Sequence, residues 1–162
     1  MLARLVSTVR LSALLGVLLC IGAACGASRP KGPPLSHEAF VKQMHSICRS
    51  TNRKISPSDA SHVVSGKLGD PEYDTRLLRE GRVELARLRK LNPPTRDQRR
   101  LRTAFQHWST ALDDFERLAR AMETKDRAGA GDVFRALAAE VRTIARLIPD
   151  YPAGECLGEG LG

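Results

Sequence analysis

The chain has 162 residues, one domain's worth, with 26 Lys and Arg against 18 Asp and Glu for a net charge of +8. Aromatic residues make up only 4% while Leu and Ala abound, which favours helices packed by aliphatic side chains and argues against a β-sandwich. The basic balance admits an anionic partner such as a membrane surface or acidic polymer, although the Arg, Ala and Gly bias is also a matter of plain composition.

Residues 1–24 read as a signal peptide. Arg4 and Arg10 form its basic start, and residues 11–24 form an uninterrupted, mostly apolar run of 14 residues. As a helix that run would span about 21 Å, short of the roughly 20 residues a membrane crossing needs. Export makes nucleic acid an unsuitable partner. Removing Arg4 and Arg10 with the leader lowers the charge from +8 to +6.

Ile21-Gly22-Ala23-Ala24-Cys25 resembles a bacterial lipobox. The resemblance implies cleavage before Cys25, a diacylglyceryl group on its thiol, and attachment to the extracytoplasmic face of the cell membrane. Two acyl chains suffice for stable anchoring. Gly22 stands where that family usually carries a large aliphatic residue, which keeps free secretion open as the alternative. Residues 25–35 are rich in Gly, Pro, Ser and Ala and read as a flexible tether to a domain at 36–156.

Cys20 leaves with the leader. With Cys25 acylated, Cys48 and Cys156 are the remaining thiols, and the single intramolecular pairing predicts a Cys48–Cys156 disulfide. The alternatives are a metal site and a redox pair. His45 and Cys48 have helical ligand spacing but lack further ligands at the usual spacing, and no Cys-x-x-Cys is present.

Ser36 is a suitable N-cap for a first helix, in which Phe40, Met44, Ile47, Cys48, Thr51 and Ile55 share one face. Residues 56–69 read as loop. Asp70-Pro71-Glu72 opens a second helix striped by Leu78, Gly81, Leu85 and Leu88, where Gly81 suggests a close helix crossing. Asn92-Pro93-Pro94 stops it. Thr95 to Gln98 matches a capping box for a third helix, whose seam of Leu101, Phe105, Trp108, Leu112, Phe115, Ala119 and Met122 is the clearest periodic signal in the chain. Asp126 and Asp132 are rival caps for a fourth helix carrying Phe134, Leu137, Val141, Ile144 and Ile148. Pro149 and Pro152 end it, Tyr151 and Cys156 tie the tail back, and residues 157–162 form a mobile Gly-rich end.

Four amphipathic segments with mostly short connections predict an all-α, up-down-up-down antiparallel four-helix bundle closed by one disulfide. Cys48, Pro93-Pro94 followed by the Trp108 helix, and Cys156 make the mature part similar to small exported helical-bundle lipoproteins of actinobacteria. That resemblance implies an envelope location and brings no activity with it.

The chain has no Glu-x-x-His, His-Glu-x-x-His, Gly-x-Ser-x-Gly or P-loop, so neither enzyme nor metal or cofactor chemistry is expected. His37, His45, His62 and His107 read as scattered surface histidines, and Asp113, Asp114 and Glu116 as an exposed acidic face beside Arg117 and Arg120. The most distinctive polar feature is a basic pole of Arg87, Arg89, Lys90, Arg96, Arg99, Arg100 and Arg102, with Asp97 the sole acid among them. It suits an anionic lipid, an acidic wall polymer or an envelope protein partner. The alternative is a carrier or sensor holding a small apolar ligand among Phe105, Trp108, Phe115 and Phe134.

Overall fold

The computed structural model describes residues 32–55 and 69–157. Among these the secondary structure is entirely helical: α1 (His37–Ile55), α2 (Pro71–Leu88), α3 (Gln98–Glu123), α4 (Arg127–Leu147) and a short α5 (Ala153–Leu157). The expected leader at residues 1–24, Cys25 with its expected acylation, the segment 56–68 and residues 158–162 lie outside the described residues. Among those described, no helix is long and apolar enough to cross a membrane.

Local chemistry explains where the helices begin. Ser36 Oγ accepts from the Ala39 N–H at 3.2 Å, and Asp70 Oδ1 accepts from Glu72 and Tyr73 at 3.0 and 3.3 Å. Pro71 then occupies the first helical position, where its missing N–H forfeits nothing. Asp126 wins over Asp132 as the cap of α4, accepting from Gly129 N–H at 3.0 Å. The capping box at Thr95–Gln98 does not form. Thr95–Asp97 is a 3-10 turn, and the Asp97 carboxylate makes no cap bond because it is turned into the molecule.

The core is continuous. Phe40, Met44 and Cys48 from α1, Leu85 and Leu88 from α2, Leu101 to Leu118 from α3, and Leu137, Val141 and Ile144 from α4 form one buried cluster, with Ile148, Tyr151 and Ala153 closing its end. Helix α3 packs along α4 and also against α2; α1 packs on α2, and α5 links α1 to α4. The close approach of α2 and α3 depends on Gly81, where a Cβ would stand 2.9 Å from Leu112 Cδ2.

Two stripes differ from expectation. On α3 the buried residues are Leu101, Ala104, Phe105, Trp108, Ala111, Asp114, Phe115 and Leu118, while Leu112 and Ala119 of the expected seam are half-buried and Met122 is exposed. The partners explain this: α3 serves α4 and α2 at once, so its buried face is broader than a two-helix seam. On α4, Val133 rather than Phe134 continues the line of Leu137, Val141 and Ile144, and Phe134 is 49% exposed.

Cys48 and Cys156 are joined in a disulfide with a Cα–Cα distance of 4.7 Å. Cys48 is buried on α1, and Cys156 lies partly exposed on α5. The tail is further held by Asn52 Nδ2 donating to the Glu155 carbonyl at 2.8 Å and by His45 Nδ1 at 2.6 Å from Glu155 Oε2. His45 is therefore committed to Glu155 and stands apart from the group formed by Cys48, Cys156 and Glu84.

Candidate functional site

The basic pole is built where the α2–α3 connection meets three other chain segments. The Leu35 N–H donates to the Asn92 carbonyl at 3.0 Å, and Asn92 Nδ2 donates to the Gly32 carbonyl at 2.6 Å. These bonds pin residues 32–35, the end of the expected tether, onto the connection. Arg100 Nη2 donates to Asp150 Oδ2 at 2.6 Å, bringing the end of α4 to the same place.

At its centre lies Asp97, buried at 4% exposure. Its Oδ1 accepts from Arg100 Nε at 2.9 Å, and its Oδ2 accepts from the Tyr151 hydroxyl at 2.8 Å. Arg96 Nε stands 3.5 Å from Oδ2, and His37 Nδ1 lies 3.3 Å from the Tyr151 hydroxyl. Burial pushes the Asp97 carboxyl up, but the Tyr151 hydrogen bond and the Arg100 and Arg96 charges outweigh it and hold it below the ordinary carboxylate range. Burial, and then Asp97, push the Tyr151 phenol up to about 12. Arg100 also lies over the Tyr151 ring, 5.3 Å from its centroid.

The seven cations predicted for the pole therefore divide into two groups. Arg100 is neutralised by Asp97 and Asp150 and serves as a brace, which removes it from the contact surface. Arg89 Nη2 donates to the Phe105 carbonyl at 2.9 Å, tying α2 to α3, and Arg96 leans on Asp97. The side chains of Arg87, Lys90, Arg99 and Arg102 are exposed and have no ion-pair or hydrogen-bond partner among the described residues. The pole is thus a set of solvent-facing cations over a rigid, internally neutralised hub.

Replacing Asp97 by Ala removes the carboxylate that the Tyr151 hydroxyl donates to and one bond from Arg100. It is expected to lower stability by about 2 kcal/mol in urea unfolding and to bring the Tyr151 phenol back toward its ordinary value in a spectroscopic titration. An unchanged phenol titration would show that Asp97 does not hold Tyr151.

Among the described residues, the other predicted side chains are distributed over separate contacts. His107 is half-buried with Nδ1 2.6 Å from Glu140 Oε2, so it ties α3 to α4. With His45 and His37 it corrects the reading of scattered surface histidines, while His62 lies outside the described residues. Asp114 is buried and paired with Arg117, whereas Asp113 and Glu116 are both held by Arg82, at 3.2 and 2.6 Å. The three acids therefore point to two different environments. Phe105, Trp108 and Phe115 are buried, but exposed Phe134 is not with them, so the four aromatics do not line one ligand cavity.

Two features had not been anticipated. An open groove of about 600 Å³ runs between the start of α2 and the end of α3, flanked by Asp74, Leu78, Arg79, Arg82, Glu116 and Arg120. Several buried carboxylates also occur on α2: Asp74, Glu80 and Glu84. Lys54 compensates Glu80 at 3.1 Å and holds it below its ordinary pKa. Burial raises Asp74 despite the Gly69 N–H donated to it at 3.0 Å. Burial likewise pushes Glu84 up to about 7, against the Thr51 hydroxyl bond.

No protein-family model, curated protein or solved structure matches the chain.

Proposed function

We propose that this chain is a non-enzymatic, lipid-anchored cell-envelope protein whose up-down-up-down four-helix bundle docks through its basic pole on an anionic envelope surface. The observation that carries this reading is the attachment of Gly32 and Leu35 to Asn92. It supports the reading because Gly32, seven residues after Cys25 in sequence, is held beside the cationic connection. Seven peptide steps separate Cys25 from Gly32, a reach of at most about 25 Å. An acyl anchor at Cys25 would therefore keep the pole close to the lipid head groups.

The same contacts support the topology. The Leu35–Asn92 and Arg100–Asp150 bonds gather the start of α1, the end of α2, the start of α3 and the end of α4 at one pole. Each solvent-facing Lys or Arg near an anionic head group contributes about 1 kcal/mol, and the effect fades over a Debye length of about 8 Å.

Binding of the unacylated mature chain (Cys25→Ser) to vesicles tests the docking surface. Vesicles containing phosphatidylglycerol are expected to retain the protein at low salt and release it at high salt. Pure phosphatidylcholine is expected not to retain it. The double reversal Arg99→Glu and Arg102→Glu, which touches none of the bracing contacts, is expected to weaken binding at least about tenfold. Equal retention by both vesicle types, or by both proteins, would count against the proposal. Intact mass of the native protein tests the anchor: a chain beginning at Cys25 without added lipid mass overturns it.

A further inference from the structure

The Cys48–Cys156 disulfide lies against an ionisable side chain that a purely structural cross-link does not need. One carboxylate oxygen of Glu84 and the two sulfurs lie within 4.8 Å of one another. Glu84 is 1% exposed, and its Oε2 has no hydrogen-bond partner. A buried, half-satisfied carboxyl detracts from stability, so its presence beside the sulfurs calls for an explanation other than packing. The nearby charged groups are committed elsewhere: Lys54 to Glu80 between α1 and α2, and His45 to Glu155 between α1 and α5. The influences on Glu84 itself are burial and the Thr51 hydroxyl.

The two sulfurs are also inequivalent. Cys48 is completely buried, whereas Cys156 lies partly exposed near the end of the chain. An attacking thiolate would reach Cys156 first and expel Cys48 as the leaving group beside the carboxyl. No Cys-x-x-Cys is needed for this, because the pairing across 108 residues supplies the proximity that the motif supplies locally.

We infer that Cys48–Cys156 is an exchangeable disulfide for a dithiol reductant, with Glu84 as the proton donor to the departing Cys48 sulfur. The thiolate of the dithiol bonds to Cys156 Sγ, and the S–S electron pair leaves on Cys48 Sγ. Protonated Glu84 gives that thiolate its proton, directly or through one water. The second thiolate of the dithiol then displaces Cys156, which takes a proton from solvent, while Glu84 is reprotonated. Two electrons pass from dithiol to protein, and the two protons released by the dithiol balance those taken up.

Reduction by dithiothreitol, followed from pH 5.5 to 8.5 in the mature chain bearing Cys25→Ser, tests this. The rate per reductant thiolate is expected to be first order in dithiothreitol. It should fall by up to about 30-fold as pH rises from 5.5 to 8.5, the fall in the protonated fraction of a group titrating at about 7. Glu84→Gln is expected to hold the low, high-pH rate throughout. The competing route, reduction after unfolding, predicts the opposite slope, since ionising Glu84 destabilises the fold and speeds opening as pH rises. A rate that saturates with dithiothreitol, rises with pH after the thiolate correction, or has the same profile in Glu84→Gln overturns the inference. A low, flat Glu84→Gln rate supports the inference only beside a parent rate that falls with pH, because a change in stability alone would make the parent's rate rise with pH toward a faster limit.

Discussion

Replacing Cys48 and Cys156 together by Ala is expected to lower the unfolding free energy by about 4–5 kcal/mol and the melting temperature by roughly 15 °C. The loop closed by this cross-link spans 108 residues of sequence. The chain-entropy model assigns such a loop about 4.7 kcal/mol, and domains of this size have only about 5–15 kcal/mol in total. Without the cross-link, α5 has five residues, too few to sustain a helix alone. It would retain the Asn52 and His45 contacts with Glu155, buried Ala153 and its packing against α1 and α4. The end of the molecule formed by Tyr151 and Phe40, whose rings meet edge-on with centroids 5.6 Å apart, would then loosen. Thermal melts with and without the substitutions measure the effect. A melting temperature within a few degrees of the parent protein's would mean that packing, rather than the cross-link, holds the tail.

The helices were legible in the sequence because caps and apolar spacing signal them redundantly. Ser36, Asp70 and Asp126 cap the helices they precede, and the buried face of α1 is the one its spacing describes. The Cys48–Cys156 pairing was legible for a different reason: a count of thiols left one partner for each. The buried acids were not legible, because a pattern search that scores only apolar residues passes over a carboxylate in the same stripe. Leu77, Gly81, Glu84 and Leu88 step by four, three and four, and Ala111, Asp114 and Leu118 step by three and four. Had charged residues been allowed into the stripes, Glu84 and Asp114 would have stood out as inward-facing. Asp97 was masked by a different competitor. It lies inside a motif whose expected cap bonds belong to Thr95 and Gln98, and its own partners, Tyr151 and Arg100, are distant in sequence or on the next turn. The basic pole was visible as a charge cluster, yet its division into braces and free cations depends on Asp150 and the Phe105 carbonyl, which no local pattern connects to it.

Glu84 gives the second large effect, and its sign is unusual for a carboxylate. Burial raises its pKa in the folded protein to about 7, from 4.5 for the unfolded chain, with the Thr51 hydrogen bond acting weakly against it. Below pH 4.5 the group is protonated in both states and costs nothing extra. Between 4.5 and about 7 the folded protein binds more protons than the unfolded chain, so stability falls as pH rises. Above 7 the loss is complete, at about 3 kcal/mol. Asp97 and Glu80, whose pKa values are lowered, act in the opposite sense and weaken the fold only toward acid. Stability is therefore expected to peak in mildly acidic solution. Glu84→Gln removes the ionisation while keeping the shape. It is expected to match the parent protein at pH 4 to within about 1 kcal/mol and to exceed it by about 3 kcal/mol at pH 8. Urea unfolding of the oxidised proteins at pH 4, 6 and 8 measures this directly. Parallel stability profiles would mean that the folded protein lets water or a cation reach the Glu84 carboxylate. A gap that opens between pH 4.5 and about 7 would identify Glu84 as the group that sets the alkaline limit of the fold.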